Sequence, residues 1–391
     1  METKKKITWM MISFVWFSTC FGGGSSSGRT LVNFYVNHGW RAPLIAVGVQ
    51  LFQGLVLYFA FVVAMKYKQT SYVGWAKKMY APVGTLGSYL FEFVFLFGMI
   101  AANCAALATG SESIIRILGT SYFVNTIIIA VLILVFSFYT RELVGKLSKY
   151  LSYLIMISFA ILYLPLFFSR MSLAVANISD LRTGILSVPG ASDLGTALWR
   201  GLVQVTGQIT LIGSYIVHSY CLTNKKDCLK AAVTGAIMNS FVMGVQCLVF
   251  MSFLQEGIST ASMPLLFVIE KGVASPFVLT LFSLLVIMAV FGTGVSVTFA
   301  FVSRISDRVA QFKPDEDPKL RVKRNAIVCV VVIVTCWAIS QMGLVAIINR
   351  VYSYLGYFGI PLIVIPVLIK GFIEVRNYKD PPESVIADSK A

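Results

Sequence analysis

Long apolar runs alternate with short polar connections along almost the whole chain. A run of about 20 apolar residues is what an α-helix needs to cross roughly 30 Å of hydrocarbon. The pattern therefore predicts ten membrane-spanning helices. Their predicted ranges are 7–36, 42–65, 82–110, 121–139, 149–168, 196–221, 228–254, 276–303, 325–342 and 344–369.

The first span contains a stretch that disfavours a helix, TCFGGGSSSGRT at residues 19–30. Glycine costs about 1 kcal/mol relative to alanine inside a helix, and serine is a weak helix former. The helix is therefore predicted to break at 22–28. In hydrocarbon an unwound backbone persists only where protein or water satisfies its polar groups, so the stretch should face an interior cavity. A lipoprotein signal ending at Cys20, or a flexible linker, fits less well, because apolar sequence resumes at LVNFYV.

The sixth span, TALWRGLVQVTGQITLIGSYIVHSY, has polar residues at its centre. A second break is predicted near 206–209; the alternative is an unbroken helix with ordinary polar contacts. Spans 1 and 6 lie five spans apart. Because five is odd, the second copy of such a repeat would enter the membrane from the opposite side to the first. Paired interruptions in two halves point to a transporter binding site. The predicted divisions are a first repeat at 1–168, an extracellular connector at 169–195, a second repeat at 196–369 and a tail at 370–391.

Composition and charge agree with an all-α integral membrane protein. The 391 residues are 57% hydrophobic and 13% charged, about half the usual share of charge. The net charge of +15 could suggest nucleic acid. Most basic residues, however, fall in segments that are cytoplasmic if the N-terminus is, as the positive-inside rule requires. We therefore expect no nucleic-acid partner, and instead a multi-pass protein of the cell inner (plasma) membrane with both termini cytoplasmic.

Several classes of function find no support in the residues. The seven cysteines are scattered and the two histidines are far apart, so neither disulfides nor a metal site are expected. No nucleotide-binding loop or catalytic constellation stands out, and the chain is not expected to be an enzyme or to hold a cofactor. Any transport would then need an ion gradient, of Na⁺ or H⁺. Residues 255–275 are predicted to cover the outer mouth as a short helix or re-entrant loop.

The opening FGGGSSSGRTLVNFYVNHGW resembles the broken first helix of LeuT-fold transporters in the amino acid–polyamine–organocation superfamily, most closely YkvI-type bacterial membrane proteins. The matching residues are Gly22, Gly24, Ser26, Ser27 and Gly28, followed by Phe34 and Gly39. Ser25 departs from the pattern by replacing an aromatic residue, and Arg29-Thr30 by replacing Gln-Glu. The resemblance implies a LeuT-like inverted repeat of five plus five transmembrane helices, with broken helices 1 and 6 and alternating access.

A substrate site is expected where the two breaks meet. Amides at the helix start near Gly28 carry partial positive charge and suit a carboxylate, while carbonyls near Gly207 suit an ammonium group. Asn103 either lines the same cavity or bridges helices. The predicted substrate-binding residues are Gly22, Gly23, Gly24, Ser25, Ser26, Ser27, Gly28, Thr206, Gly207, Gln208, Ile209 and Asn103.

Ion coupling has two sets of candidates. The resemblance implies a sodium site made by Ser296 with Phe21 and Gly24 from the first break, and Thr293 is a second oxygen donor; such hydroxyls also bond harmlessly to helix carbonyls. Glu92 lies deep in span 3. Burial disfavours a charged carboxylate, so Glu92 is a candidate proton carrier or counter-charge, or else simply a neutral or paired glutamate.

Arg29 resembles the outer-gate arginine of the fold, whose usual partner is an acid on span 10. Span 10 contains Arg350 but no acid at the depth of Arg29. Two alternatives are therefore left for each of these arginines: it contacts a substrate carboxylate, or its side chain extends outward. Together these features predict an ion-coupled secondary transporter of a small organic solute, an amino acid or related compound, embedded in the lipid bilayer. The alternatives are a non-transporting solute sensor on the same scaffold, or a channel.

Overall fold

The computed structural model describes residues 9–20, 23–69, 71–81, 84–137, 141–273, 275–313 and 316–378. These residues form fourteen helices joined by short turns. The helices are α1 Met10–Cys20, α2 Arg29–Phe34, α3 Ala42–Lys66, α4 Tyr72–Met79, α5 Gly84–Leu118, α6 Tyr122–Ser137, α7 Arg141–Thr183, α8 Leu194–Ile209, α9 Ile212–Ile216, α10 Lys225–Met251, α11 Pro264–Gly272, α12 Pro276–Phe312, α13 Pro318–Ser340 and α14 Leu344–Asn377.

All ten predicted spans correspond to these helices. Seven continuous helical stretches within the described residues are long and apolar enough to cross a membrane, and α6 adds a shorter apolar one of 16 residues. The two remaining spans are built from paired short helices, α1 with α2 and α8 with α9. These are the two spans predicted to be broken, so the predicted fold class is confirmed.

The predicted end of the fifth span is wrong. Helix α7 continues to Thr183, so much of the segment expected to be a connector, 169–195, is helical. Residues 169–183 contain neither glycine nor proline, and the helix ends only before Gly184. Gly184 has a φ of 80°, the left-handed conformation that commonly follows a helix.

The helices pack in two groups. One contains α1 with α2, α3, α8 with α9, and α10; the other contains α5, α6, α12 and α13. In the first group the ring of Trp16 lies so close to α10 that a Cβ at Gly235 would stand 2.1 Å from its Cε3 atom. Only glycine permits this approach. This close contact holds α1, the N-terminal half of the first span, against α10.

Helix α14 contains two wider, π-helical turns, Ile347–Val351 and Ile360–Val364. Pro366 has no N–H, so it cannot donate to the carbonyl of Leu362 four residues earlier. The hydroxyl of Tyr80 donates to that carbonyl instead. The irregular helix is thus stabilised by a side chain from the turn before α5.

The segment between α10 and α12 carries the short helix predicted there, α11. The part before it, residues 252–263, is named here the covering loop. It is held to α7 by the ion pair Arg170–Glu256, and α11 is held to α5 by Arg116, which is 2.8 Å from Glu270. The covering loop also packs against α2, and α11, which continues from it, packs against α12. The covering loop and α11 together therefore connect the two groups of helices.

Candidate functional site

The first interruption lies between α1 and α2. Residues Gly23–Ser27 form a 3₁₀ turn, and Gly28 follows with a φ of 77°. A Cβ at Gly28 would stand 2.6 Å from the Phe250 ring and in a strained backbone conformation, so only glycine fits. The hydroxyl of Ser27 accepts from the N–H of Arg29 at 3.1 Å and stabilises the start of α2.

The unwound segment packs against both α5 and α12. It therefore faces the second group of helices. Among the predicted residues, Gly23, Gly24, Ser25, Ser26, Ser27 and Gly28 lie in this stretch. Gly22 and Phe21 lie outside the described residues, and their predicted roles stay predictions.

The second interruption is shifted from the predicted range. Residues 206–209 are helical, and the turn falls at Thr210 and Leu211. The helix stays regular through the bond from Thr210 N to Thr206 O, and Leu211 N then turns back to Gln208 O. The Thr210 hydroxyl donates to Gly207 O at 2.7 Å. Gly207 and Gln208 carbonyls thus already accept one bond each, which leaves one lone pair apiece.

Two glutamines of α8 are engaged by the first span and by α3. Tyr35 donates from its hydroxyl to Gln204 Oε1, and Gln50 Nε2 donates to Gln208 Oε1 at 3.0 Å. Tyr35 and Gln50 were missed as site residues. Gln50 could have been found from the sequence, because it and Gln53 are isolated polar residues in the middle of an apolar span. No comparable signal marks Tyr35.

A buried polar cluster surrounds the last residue of α1. The Cys20 thiol lies beside Trp16, Gln53 and Tyr215. The side-chain polar atoms of Trp16, Gln53 and Tyr215 are all buried, and apart from their approach to the thiol they have no hydrogen-bond partner among the described residues. The cluster lies between α1, α3 and α9. All seven cysteines of the chain are buried and free.

The predicted ion-site residues have ordinary helix contacts where they are described. The hydroxyl of Thr293 donates to the Ala289 carbonyl at 2.9 Å, which leaves its lone pairs available. Asn103, a predicted substrate-binding residue, donates to Thr298 Oγ1 at 3.1 Å and so bridges α5 and α12; its contact with substrate stays a prediction. The Ser296 side chain lies outside the described part of the structure, and its role stays a prediction.

Glu92 is paired with an arginine. Arg304 Nε lies 2.7 Å from Glu92 Oε1, and the guanidinium stacks 5.0 Å from the centre of the Tyr72 ring. The predicted eighth span ends at residue 303, just before Arg304, whereas α12 continues to Phe312 and includes Arg304. The pairing matches one of the alternatives left open for Glu92. Proton coupling by Glu92 stays a prediction.

Arg29 binds the covering loop. Its Nη1 atom donates to the carbonyls of Ser259 and Ala261, both at 2.9 Å. The side chain is only 7% exposed, so it does not extend outward. It fastens α2 to the covering loop through neutral carbonyl groups.

Arg350 lines a separate cavity of about 370 Å³ between α5 and the start of α14. The same cavity includes Glu112, whose carboxylate accepts from the Ser262 hydroxyl at 3.4 Å. Arg350 itself is exposed. Arg29 and Arg350 are both candidate gate residues in the sequence, but they occupy different surroundings in the structure.

His38 lies just beyond α2 and contacts the connector after α7. Its Nδ1 atom is 3.0 Å from the Ser192 hydroxyl. Burial, helped by the nearby charge of Arg200, lowers the pKa of His38. The guanidinium of Arg200, on α8, stacks over the Phe34 ring at 4.8 Å. The C-terminal end of α2 is therefore held both by this cation–π contact and by the His38–Ser192 contact.

Known structures with the same arrangement are transporters. A Na⁺-coupled sialic acid symporter in a substrate-bound, outward-open state is similar with a TM-score of 0.63 and 14% identity, over 94% of this chain and 79% of that chain. A variant of the manganese transporter of Eremococcus coleocola gives 0.58 and 13% over 94% and 81%. MhsT in complex with L-phenylalanine gives 0.53 and 13% over 94% and 89%.

The chain has the LeuT fold. At these identities the likeness concerns the fold alone. No protein-family description matches the sequence, and no curated protein matches it. Within the described residues no group of three or more His, Cys, Asp or Glu is placed to hold a metal ion. In this LeuT fold, the two interrupted spans are the first and the sixth, as the inverted repeat requires.

Proposed function

We propose that this membrane protein is a secondary transporter of a small zwitterionic organic solute, such as an amino acid, driven by a sodium or proton gradient. One observation carries the proposal: the α-helix is interrupted at 23–28, halfway along a span, by a 3₁₀ turn and a left-handed glycine, and this segment faces α5 and α12. A span that only anchored the chain would keep its backbone hydrogen bonds. The sodium-coupled symporter and the phenylalanine complex among the similar structures support the class.

The proposed solute site combines two kinds of backbone group. Amides at the first interruption, residues 22–28, take the carboxylate, and the free lone pairs of the Gly207 and Gln208 carbonyls accept from the ammonium group. Thr206, Ile209 and Asn103 complete the proposed wall. Sodium would be held by Phe21, Gly24, Thr293 and Ser296. Membership of the YkvI-type proteins, and a bacterial inner membrane with both termini cytoplasmic, belong to the same proposal.

Uptake into proteoliposomes tests the proposal. Labelled amino acids should accumulate only when a sodium or proton gradient is imposed, and manganese can be assayed in the same vesicles. A sensor would bind an amino acid, seen as a raised unfolding temperature, without accumulating it under either gradient. A channel would show single-channel conductance. Either of those results would overturn the transporter assignment.

Glycine variants test the location of the site. Changing both Gly24 and Gly28 to alanine should abolish solute binding while the protein is still expressed. Gly48→Ala is the matched control, since a Cβ there meets nothing within 4 Å. Unchanged affinity in the double variant would exclude the first interruption as the site. Ser296→Ala should weaken a sodium response, and Glu92→Gln a proton response.

A further inference from the structure

Helix α2 has a polar face that is buried. At 3.6 residues per turn, Arg29, Thr30 and Asn33 fall within an arc of about 100°. Asn37 lies beyond the helix, in the 3₁₀ turn Val36–His38, and contacts the same Ser259 carbonyl as Arg29. The exposed fractions of these four residues, in chain order, are 7%, 2%, 9% and 8%. The other residues of α2 are apolar. Four buried polar side chains need partners, because an unpaired buried polar group is costly.

The partners present on this face are neutral. Arg29 donates to the carbonyls of Ser259 and Ala261, and Asn37 Nδ2 donates to Ser259 O at 3.4 Å. No carboxylate of the described residues forms an ion pair with Arg29. The face therefore holds a buried positive charge that two carbonyls only partly compensate, and buried charges in proteins are normally paired.

Three donors on the face have no hydrogen-bond partner among the described residues. They are Arg29 Nε, Asn33 Nδ2 and the Thr30 hydroxyl, all buried without a hydrogen bond. Arg29 and Asn33 are four residues apart, and such side chains are neighbours on a helix, about 5–6 Å apart at Cβ. One acceptor can therefore bind both. Because one of the donors belongs to the Arg29 guanidinium, whose charge the two carbonyls only partly compensate, the acceptor that fits them best is an anion.

We propose that Arg29, Asn33 and Thr30 form an anion site between α2 and the covering loop. The ligand is a small anion, either the carboxylate of the solute or an inorganic ion such as chloride. Only the first source rests on the proposed function. Arg29 directly follows Gly28, so a solute carboxylate bound here extends the backbone site proposed above, whereas an inorganic anion occupies the side-chain site alone. In both cases Arg29 acts as a ligand rather than as one half of a gate salt bridge.

The experiment uses the full chain, purified in detergent, at constant ionic strength. The unfolding temperature is measured as sodium methanesulfonate, a bulkier and weakly binding salt, is replaced by sodium chloride or sodium acetate. Alanine and ethylamine, which differ by a carboxylate, are added in separate titrations. We expect chloride, acetate or alanine to raise the unfolding temperature in a saturable way, and ethylamine to have no such effect.

Two variants and a control assign the effect. Asn33→Ala should raise the half-saturating anion concentration about tenfold or more, as expected for a lost hydrogen bond to a charged group, and Arg29→Gln should abolish the response. Asn37→Ala is the matched control: it removes an equal side chain beside the same face, but its Nδ2 donor is already used, so the response should persist.

The outcomes separate the sources and the two proposals. A response to acetate and alanine but not chloride assigns a carboxylate; a chloride response of equal size assigns an inorganic ion. No response to any anion, or an undiminished response in Asn33→Ala, overturns the anion site even if Arg29→Gln fails to fold. Failure of uptake in proteoliposomes would overturn the transporter proposal and leave this binding result standing.

Discussion

The two interruptions occupy matching spans, but they differ in length and in the number of backbone hydrogen bonds that are kept. Eight residues separate Cys20 from Arg29, and those described form a 3₁₀ turn and a left-handed glycine. Only Thr210 and Leu211 separate α8 from α9. There the turn bonds Thr210 N to Thr206 O and Leu211 N to Gln208 O, and the Thr210 hydroxyl bonds to Gly207 O.

We infer from this difference that the two interruptions have different roles. The first interruption supplies backbone groups, because its residues lack regular helical bonds. The second keeps most of its bonds and changes only the direction of the chain. If so, substitutions at the first interruption should affect stability through strain, and those at the second through single hydrogen bonds.

The largest expected effect is at Gly28. Alanine there would adopt a left-handed conformation at about 1–2 kcal/mol, and its Cβ would crowd the Phe250 ring, which adds about 1–3 kcal/mol. Gly28→Ala should therefore lower the free energy of unfolding by about 2–5 kcal/mol. Chemical unfolding in detergent measures it.

A companion variant at the second interruption sharpens the contrast. At Gly213 a Cβ would lie 2.9 Å from the Phe95 ring, without a positive φ, so Gly213→Ala suffers crowding alone. Phe95→Leu should restore most of its stability. Phe250→Leu should restore only part of the loss in Gly28→Ala. Full restoration there would show that the backbone strain is absent.

A smaller effect is expected at Thr210. Thr210→Val keeps the shape and removes the hydroxyl bonded to Gly207 O, at a cost of about 0.5–1.5 kcal/mol. Thr260→Val is the control, because its hydroxyl makes the same kind of bond to Gly257 O on an exposed turn. Equal unfolding free energies for the two variants would contradict a structural role of the Thr210 hydroxyl.

Gly207→Ala should act in the opposite direction. Gly207 is helical, and a Cβ there meets no atom nearer than 3.9 Å. Alanine should therefore raise the free energy of unfolding by up to about 1 kcal/mol through helix propensity. A clear loss of stability in the same unfolding assay would move the interruption back to the range predicted from the sequence.

The smallest effect concerns the outer end of α2. Because the pKa of His38 is lowered from 6.5 by burial and Arg200, the unfolded chain binds a proton more readily than the folded one. Stability should therefore fall as the pH drops below about 6.5. His38→Gln should reduce the fall in unfolding temperature between pH 7.5 and pH 5.5. If the variant shows the same fall as the unchanged protein, His38 does not cause this pH dependence.

The first interruption was predictable because its cause is local: seven consecutive glycine and serine residues are poor helix formers whatever surrounds them. The second was predicted at the right span and the wrong residues. Thr210 and Leu211 carry no helix-breaking signal, and the close contacts there come from Gly98 and Phe95 of α5. Residues so distant in sequence cannot be paired by inspection of one span.

The side-chain partners show the same limit. Glu92 stood out as a carboxylate in an apolar span, but its pairing with Arg304 depends on how α5 packs against α12. Gln50 was equally visible, yet its bond to Gln208 requires the packing of α3 against α8. Isolated polar residues can be found from the sequence, whereas their partners follow only from the arrangement of helices.

The covering loop and α11 are fastened in two chemically different ways. Arg116 with Glu270 and Arg170 with Glu256 are partly exposed ion pairs, whose attraction is weakened by dissolved salt. The contact of Arg29 with the carbonyls of Ser259 and Ala261 is buried and does not depend on a second charge. Concentrated electrolyte should therefore release the segment first from α5 and α7 and last from α2.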